Sequence, residues 1–290
     1  MNYFLLVNTF SNSGKSKAVI QNHFQLIKKY LPNSEIRFLE EGDRIEEIVS
    51  GIEEGFDVCV ACGGDGTISA VASAIRNRSL LLGVLPIGTG NDFAKSLGLK
   101  KSLEENLAVL KKAEFISVDL VRVNDTYFIN TLGIGFDGQT NFIATTLPSC
   151  LSVFRYVLAG MLTLFRAKVF TAKIKSASLE DLIVTETKMI VLANGKWEGG
   201  KYLISPSSDP NDGILELIYA NKVSTVRLVL EFLKLSAGVA VSEGMFSMIK
   251  GSNFSIKLSE PVYIHKDGEI LEQASVFDIE LIKKELQVIA

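Results

Sequence analysis

Short apolar runs alternate with longer amphipathic stretches through the first hundred or so residues. The runs have the length and continuity of buried strands, and the stretches between them have helical spacing. Strands are predicted at Tyr3 to Val7, Ile36 to Leu39, Val58 to Ala61 and Leu81 to Leu85, with helices at Ser16 to Tyr30, Arg44 to Glu54, Ile68 to Ile75 and Leu103 to Lys112. Apolar strands separated by amphipathic helices are typical of a parallel sheet covered on both faces. We therefore predict a doubly wound α/β N-terminal domain over residues 1–121.

The pattern changes after the last of these helices, where strand-like segments follow one another closely. They are Val118 to Val123, Tyr127 to Thr131, Phe170 to Lys175, Ile183 to Leu192, Ile214 to Tyr219, Phe254 to Leu258 and Val262 to His265. Asn124-Asp125 is a candidate hairpin turn, and Leu151 to Phe165 and Val223 to Leu235 have helical spacing. We predict a mostly antiparallel, sandwich-like β domain over residues 122–283.

The composition predicts a globular protein and argues against some classes of partner. A chain of 290 residues that is 47% hydrophobic and 22% charged has enough apolar side chains for a large core. Its net charge of -3 argues against a nucleic-acid partner, which would need a basic surface. The sparse cysteines, Cys59, Cys62 and Cys150, fit a reducing cytoplasm better than a disulfide framework. The apolar segment from Cys150 to Phe165 is too short to span a bilayer.

Two glycine-rich turns carry the strongest functional signal. Gly63-Gly64-Asp65-Gly66-Thr67 follows one apolar strand, and Gly88-Thr89-Gly90-Asn91-Asp92 follows the next. A strand that runs through glycines into a helix exposes backbone N–H groups at a positive helix end, which suits phosphate. Neighbouring parallel strands end at one edge of the sheet, so both turns are expected to border the same crevice. Because Asp65 and Asp92 would repel phosphate, a divalent cation between acid and phosphate is inferred.

Two further motifs have more than one possible interpretation. Ser11 to Ser16 resembles the end of a P-loop, but Thr9 stands where that motif needs glycine, so Asn8 and this loop either contact a nucleotide or only cap a helix. Gly133 to Gly138 matches GxGxxG without the βαβ context of a dinucleotide site, and a tight backbone path is favoured.

Two acidic turns have a structural and a chemical reading. Asp209-Pro210-Asn211-Asp212-Gly213 is either an ordinary turn or a hard-cation site. Lys266-Asp267-Gly268-Glu269 has the residue pair of a two-residue hairpin, and its carboxylates are candidates for a general base and its partner. Both histidines, His23 and His265, are interpreted as structural.

One helical segment has an apolar face whose role is also open. In the segment from Leu151, the residues Phe154, Leu158, Met161, Leu162 and Phe165 share a helical face near Arg155, Arg166 and Lys168. Packing into the core is the default interpretation. The rival is an apolar lip that admits a lipid or touches a bilayer.

Five ordered motifs together resemble the diacylglycerol kinase catalytic-domain family, the bacterial lipid kinases with sphingosine-kinase-like relatives. The motifs are GGDGT from Gly63, LPIGTGNDFAKSLGL from Leu85, NTLGIGFDG from Asn130, NGKWEGGKYLISPSSDPNDGIL from Asn194 and DGE from Asp267. The resemblance covers nearly the whole chain. It implies ATP- and magnesium-dependent phosphorylation of a lipid hydroxyl, with ATP in an interdomain cleft.

The resemblance also implies roles for individual residues. Asp267 would be the general base and Glu269 its supporting acid. Asp212, with the carbonyl groups of Asp209 and Ile214, would form a structural metal site, and Asp92 would connect to the catalytic metal. The nucleotide would be bound by Asn8, Gly63, Gly64, Asp65, Gly66, Thr67, Gly88, Thr89, Gly90 and Asn91. The family's last strand returns to the first domain, which residues 284–290 would do here.

Two departures from the family pattern bear on the activity. The first loop, Asn8 to Lys15, lacks a proline and one glycine of the family's usual form, and Ser69-Ala70 replaces an Asn-Glu pair. The incomplete first loop prompts the alternative of a non-catalytic nucleotide-binding regulator. Ser69-Ala70 weakens any transfer of roles from the NAD kinase branch, and a soluble-substrate kinase similar to NAD kinase is the other alternative. As a lipid kinase the chain would serve phospholipid biosynthesis as a cytoplasmic protein peripheral to the inner face of the membrane. Transient contact with that surface and a homodimer are further expectations.

Overall fold

The structure is a computed structural model that describes residues 1–100, 102–148, 154–164, 166–222, 224–236 and 244–290. The chain divides into two compact units. The first unit comprises Met1–Leu120 with Lys283–Ala290, and the second comprises Val121–Ile282.

The first unit is a parallel sheet with helices between its strands. Its strands are β1 (Tyr3–Val7), β2 (Ser34–Phe38), β3 (Val58–Gly63), β4 (Leu81–Pro86) and the start of β5 (Phe115–Val123). Its helices are α1 (Ser16–Asn22), α2 (Phe24–Tyr30), α3 (Ile45–Ser50), α4 (Asp65–Ile75), α5 (Asp92–Ser96) and α6 (Leu103–Lys112). The parallel strands lie in the order β4-β3-β1-β2. The chain's last strand pairs in parallel with β4, Val288 beside Leu82.

Three predicted boundaries in this unit are wrong. The helix predicted over Ser16 to Tyr30 is two helices, because His23 leaves helical geometry with φ of −107°. Helix α3 ends at Ser50, where Gly51 caps it. Helix α4 begins at Asp65 rather than Ile68, so the second half of the GGDGT motif forms the first helical turn. This last difference places three backbone N–H groups of the motif at a helix N-terminus.

Buried aliphatic side chains hold the parallel sheet between its helices. Leu5, Val60 and Leu85 from the strands pack with Ile27 and Leu107 from the helices, and all are fully buried. Cys59 and Cys62 lie in β3 as free, buried thiols. Burial raises the pKa of Cys59 to about 12, so this thiol stays protonated at neutral pH.

The second unit is built mainly from antiparallel strands, as predicted. They are β6 (Thr126–Phe128), β7 (Thr131–Gly135), β8 (Phe170–Lys175), β9 (Ile183–Thr187), β10 (Met189–Ala193), β11 (Trp197–Glu198), β12 (Tyr202–Leu203), β13 (Leu215–Ala220), β14 (Phe246–Gly251), β15 (Asn253–Lys266) and β16 (Glu269–Ile289). Its helices are α7 (Phe136–Thr146), α8 (Phe154–Leu164) and α9 (Thr225–Ser236). The strands run in the order β14-β13-β10-β7-β15-β16. The predicted combination of a parallel α/β unit and an antiparallel β unit is confirmed.

Both predicted hairpins are present. Val123 pairs with Thr126 across Asn124-Asp125, and Lys266 pairs with Glu269 across Asp267-Gly268. In the second turn Asp267 has φ of 46° and Gly268 has φ of 81°, the left-handed pair that a two-residue hairpin needs.

Three strand predictions in this unit need correction. The strand predicted over Tyr127 to Thr131 is broken at Ile129 and Asn130, whose N–H groups bind a side chain instead of a neighbouring strand. The strand predicted over Ile183 to Leu192 is broken at Lys188, whose carbonyl accepts the N–H of Phe136. The two strands predicted around Pro261 are one strand, β15, with an irregularity in pairing there, because proline has no N–H to donate.

In the described part of the chain, none of the helices is long and apolar enough to cross a membrane. The sequence predictions that fall on Cys150, Leu151, Phe165 and Val223 lie outside the described residues.

Candidate functional site

The first glycine turn joins β3 to α4. Gly64 is the N-cap of α4, and Asp65, Gly66 and Thr67 form the first turn of the helix. A Cβ at Gly63 would lie 2.4 Å from the Thr67 hydroxyl oxygen, so glycine is required for the helix to start this close to the strand. The N–H groups and the positive end of the helix dipole are therefore gathered at the end of β3.

The second glycine turn, between β4 and α5, is organised by Asn91. This residue has left-handed backbone geometry, with φ of 56°. Its side-chain oxygen accepts the N–H of Gly88 at 3.1 Å, and its side-chain NH₂ donates to the carbonyls of Pro86 and Gly88 at 3.1 and 3.0 Å. Asn91 is predicted to face the nucleotide, and its side chain also fixes the shape of the second glycine turn.

The two glycine turns touch, as the sheet-edge argument predicted. A Cβ added to Gly88 would lie 2.3 Å from the Cα of Gly64. The N–H groups of Ile87 and Gly88 both donate to the carbonyl of Gly63, at 3.1 and 3.0 Å. The backbone of both turns therefore forms one continuous surface at the carboxyl ends of β3 and β4.

Asp65 and Asp92 converge beside this surface. A Cβ at Gly90 would lie 2.8 Å from Asp65 Oδ2 and 3.4 Å from Asp92 Oδ2. Asp65 Oδ1 also accepts the N–H of Phe93 at 3.0 Å, and the Lys95 ammonium lies 3.0 Å from Asp92 Oδ1. Two adjacent carboxylates are suitable ligands for a hard divalent cation, so the residues fit the inferred magnesium.

Asn8 ties the first strand to this site. Its side-chain NH₂ donates to the Thr67 hydroxyl at 2.9 Å, and its oxygen accepts the N–H of Phe10. Thr67 is buried, whereas Thr89 is exposed on the second turn. The predicted nucleotide residues of the first unit are therefore brought together.

In the second unit, three backbone N–H groups hold the side chain of Asp267. Its carboxylate accepts hydrogen bonds from the N–H groups of Ile129, Asn130 and Thr131, each at 2.9 Å, and its own N–H donates to the Thr131 carbonyl at 2.9 Å. Asp267 is only 4% exposed. Three N–H donors satisfy the buried carboxylate and fix its orientation.

Glu269 occupies a different environment. Its carboxylate lies 3.4 Å from the Lys266 ammonium, and its side chain is 59% exposed. Lys266 also donates to the Thr126 hydroxyl at 2.7 Å. Glu269 is thus connected to Lys266, at the start of the same turn as Asp267.

The acidic turn before β13 folds through its own polar groups. Asp212 Oδ1 accepts the N–H of Ile214 at 2.8 Å, and the Asp209 carbonyl accepts the N–H of Asp212 at 3.2 Å. Asp209 and Asp212 are exposed. Carboxylate and carbonyl oxygens are the donors that a hard cation takes, so the turn fits a metal as well as a structural role.

Asp137, Glu198 and His265 form an acid–histidine cluster that was not predicted from the sequence. His265 Nε2 lies 2.6 Å from Asp137 Oδ2 and 3.0 Å from Glu198 Oε1. The His265 side chain is 1% exposed, and the acids are 15% and 10% exposed. Only the GxGxxG match pointed here, since a Cβ at Gly133 would lie 2.0 Å from Asp137 Oδ2 and 2.2 Å from His265 Nε2.

Burial and mutual contact shift the protonation of all three groups. Burial, together with the charge of Asp137, raises the pKa of Glu198 to about 8. Burial alone would lower the pKa of His265, but the two adjacent acids outweigh it and raise that pKa well above its usual range. Burial would raise the pKa of Asp137, but the charge and hydrogen bond of His265 lower it. At neutral pH the cluster therefore contains ionised Asp137, protonated His265 and neutral Glu198.

Two neighbouring helices of the second unit expose an apolar surface. It comprises Leu158, Met161 and Leu162 on α8, which are 39%, 53% and 36% exposed, and Val226, Leu230 and Leu233 on α9, which are 66%, 53% and 50% exposed. The two helices pack against each other. The default prediction of core packing is therefore wrong for the three α8 residues. Arg166, Lys168 and Arg227 are exposed in or directly after these helices.

Two family models match the chain, one in its first part and one in its second. A model described as the diacylglycerol kinase catalytic domain matches residues 2–123. A second model, described as the YegS C-terminal NAD kinase beta sandwich-like domain, matches residues 130–290, more than half of the chain.

Proteins of similar sequence are named as lipid kinases. A probable lipid kinase YegS-like from Klebsiella pneumoniae is 32% identical over 185 residues, which are 61% of this chain and 61% of the relative. A diacylglycerol kinase from Bacillus subtilis is 28% identical over 224 residues, 74% of this chain and 71% of the relative. A solved structure of a diacylglycerol kinase from Bacillus anthracis is 20% identical, with a TM-score of 0.72 over 99% of this chain and 96% of that one. At this identity the structural match concerns the fold alone.

Proposed function

The chain belongs to the diacylglycerol kinase catalytic-domain family, which contains lipid kinases, and from this premise we propose that it transfers the γ-phosphoryl group of ATP to a lipid hydroxyl such as that of diacylglycerol. The observation that carries the proposal is the contact between Gly64 and Gly88. It brings the second glycine turn against the turn at the positive end of α4, and a joint backbone surface of this kind is suited to phosphate.

The first unit supplies the nucleotide site in this proposal. The turns around Gly64 and Gly88 bind the phosphates, with Asn8 and Asn91 holding their geometry. Asp65 and Asp92 would hold magnesium, which, when bound, neutralises charge on the phosphates. Because phosphoryl transfer depends mainly on positioning and electrostatics, a rigid backbone surface of this kind is suited to it.

Asp267 is the proposed general base. It accepts the proton of the lipid hydroxyl as that oxygen forms its bond to the γ-phosphorus and the bond to the ADP oxygen breaks. Three N–H donors fix the orientation of its carboxylate. A purely nucleotide-binding protein would not need a general base.

The apolar surface on α8 and α9 is the proposed point of contact with the bilayer that contains the substrate. Six exposed apolar side chains on two packed helices, with exposed Arg166, Lys168 and Arg227, have the chemistry of an interfacial anchor for an anionic membrane. The net charge of -3 means that this contact depends on the local arrangement and not on overall charge.

Radioactive ATP tests the proposed reaction directly. Purified protein is incubated with [γ-³²P]ATP, magnesium and total lipid extract, and in parallel with NAD as acceptor. Label in the organic phase is the expected result, and the labelled lipid is then identified by chromatography. Label on NAD would support the soluble-substrate alternative, and the absence of transfer to either acceptor would support a nucleotide-binding regulator.

A further inference from the structure

The acid–histidine cluster lies next to Asp267 along the chain. His265 and Asp267 are two residues apart at the end of β15, where His265 pairs with Gly133 of β7. Gly133 leaves space for the cluster, as described above, and Gly138 allows α7 to approach β15, since a Cβ there would lie 2.3 Å from the Tyr263 carbonyl oxygen. Two glycines are therefore needed to bring three buried ionisable groups together beside the hairpin that carries Asp267.

Glu198 connects the cluster to the backbone that binds Asp267. Its Oε1 accepts the Thr131 hydroxyl at 3.3 Å, while the Thr131 N–H donates to Asp267. The preceding residue makes a parallel link, since the Trp197 carbonyl accepts the side-chain NH₂ of Asn130 at 2.8 Å and the Asn130 N–H also donates to Asp267. Two of the three N–H donors of Asp267 thus belong to residues held by β11.

We propose that Glu198 and His265, together with Asp137, are positioning residues for Asp267, and that activity is lost when Glu198 gives up the proton that it shares with Asp137. The part of this inference that concerns activity rests on the proposed lipid kinase function. Neutral Glu198 donates its O–H to Asp137 and accepts from His265 and Thr131, so each member of the cluster satisfies the others.

Loss of that proton changes the cluster sharply. Ionised Glu198 no longer donates to Asp137, and two adjacent buried carboxylates then repel each other. Among the described residues, His265 on β15 and Tyr202 on β12 face Glu198 and Asp137, and the pKa of Tyr202 is itself raised by burial and by the charge of Asp137. The single positive charge of His265 does not neutralise two carboxylates, so ionised Glu198 moves away from Asp137. That movement reaches Thr131 through its hydroxyl and Asn130 through the Trp197 carbonyl.

The same donor set, two carboxylates and an imidazole within 4.8 Å of one another, is also found at divalent cation sites. Here the atoms that would bind an ion already bond to one another, at 2.6 and 3.0 Å from His265 Nε2. This closed arrangement supports a shared proton over a metal ion.

The test compares Glu198→Gln with the wild-type protein across pH. Glutamine has the shape and hydrogen-bonding groups of neutral glutamic acid but cannot ionise. Wild-type kcat is expected to fall above pH about 8, approaching tenfold per pH unit, whereas Glu198→Gln stays within about threefold of wild type at pH 7 and does not fall at alkaline pH. Glu198→Ala is expected to lose about 10- to 100-fold at both pH values. Glu186→Gln, an exposed residue paired with Lys222 in the same unit, is the control and keeps the wild-type profile.

Hydrogen exchange tests the inference without any assay of activity. The protection factors of the Ile129, Asn130 and Thr131 amides should fall above pH about 8 in the wild-type protein and remain constant in Glu198→Gln. If no lipid is phosphorylated but this difference is observed, the proposed function fails while the link between Glu198 and Asp267 stands.

Three results would overturn the inference. The first is an alkaline decline in Glu198→Gln equal to that of the wild type. The second is an activity of Glu198→Gln at pH 7 as low as that of Glu198→Ala. The third is stoichiometric binding of Zn²⁺ or Mn²⁺ in calorimetry that is abolished by Glu198→Gln, which would make the cluster a metal site.

Discussion

The Asn91 side chain bonds to both backbone polar groups of Gly88, accepting its N–H at 3.1 Å and donating to its carbonyl at 3.0 Å. Asn91 adopts left-handed geometry to do so. Glycine tolerates that geometry without strain, so Asn91→Gly removes the side-chain bonds and keeps the backbone conformation. We expect this variant to raise the Kd for ATP by about tenfold, the equivalent of about 1.4 kcal/mol of lost hydrogen bonding. Unchanged ATP binding in calorimetry would show that the turn keeps its shape without the asparagine.

Gly88→Ala should damage the nucleotide site more severely. The new Cβ would lie 2.3 Å from the Gly64 Cα and 2.7 Å from its nitrogen, and backbone atoms cannot move aside as a flexible side chain can. The two glycine turns must separate, so we expect ATP binding to fall by more than 100-fold in the same calorimetric assay. Gly160→Ala in α8 is the matched control, because a Cβ there meets nothing within 4 Å. Equal ATP affinity in the two variants would contradict the joint phosphate surface.

Polar substitutions on the apolar surface should weaken membrane binding. Met161 and Leu233 are 53% and 50% exposed, and each would bury apolar area at a bilayer interface. The double variant Met161→Ser with Leu233→Ser should bind vesicles of anionic phospholipid at least tenfold more weakly in a sedimentation assay, with its thermal stability unchanged. Leu182→Ser replaces a leucine that is 52% exposed between β8 and β9 and serves as the control. Equal vesicle binding by all three proteins would exclude the surface as an anchor.

Magnesium should stabilise the turn that contains Asp212. Asparagine at this position can still accept the Ile214 N–H but lacks the charge that a hard cation requires. Magnesium binding to the folded state raises the melting temperature by mass action, so the shift on adding millimolar Mg²⁺ should be smaller in Asp212→Asn than in the wild type. Identical shifts, measured without nucleotide, would show that this turn is only structural.

The pH dependence of stability should also reveal Glu198. Its pKa is raised from about 4.5 in the unfolded chain to about 8 in the folded protein, so the folded state binds an extra proton between these values. The stabilisation is complete below pH about 4.5 and declines as pH rises toward about 8. Between pH 5 and 8 the free energy of unfolding of the wild type should therefore fall as pH rises. In Glu198→Gln this fall should be shallower, by the slope that corresponds to about one bound proton. Parallel slopes from denaturant titrations would argue against a shared proton.

Local sequence signals predicted most of the backbone. The hairpin at Asp267-Gly268 was predictable because that residue pair favours two left-handed residues, and the touching glycine turns followed from parallel strands that end at one edge. The break at Ile129 and Asn130 was not predictable, because their N–H groups bind an acid that lies 137 or more residues further along the chain.

Residues brought together by tertiary structure were harder to find. His265 read as structural, since its partners Asp137 and Glu198 stand far from it in sequence and at no ligand-like spacing. The α8 face read as core because helical spacing shows which residues share a face but not whether that face is covered. Both signals needed knowledge of which elements pack together.

Asp267→Asn tests the central claim most directly, with Asp125→Asn in the other hairpin turn as the control. Asparagine keeps one acceptor oxygen but cannot take a proton, so the rate of label transfer from [γ-³²P]ATP to lipid should fall by about 10²- to 10⁴-fold. ATP affinity should remain within about twofold of wild type, because the proposed phosphate site lies in the first unit, and a folded variant is verified by its melting curve. Transfer by Asp267→Asn at a rate near that of the wild type and of Asp125→Asn would contradict the account.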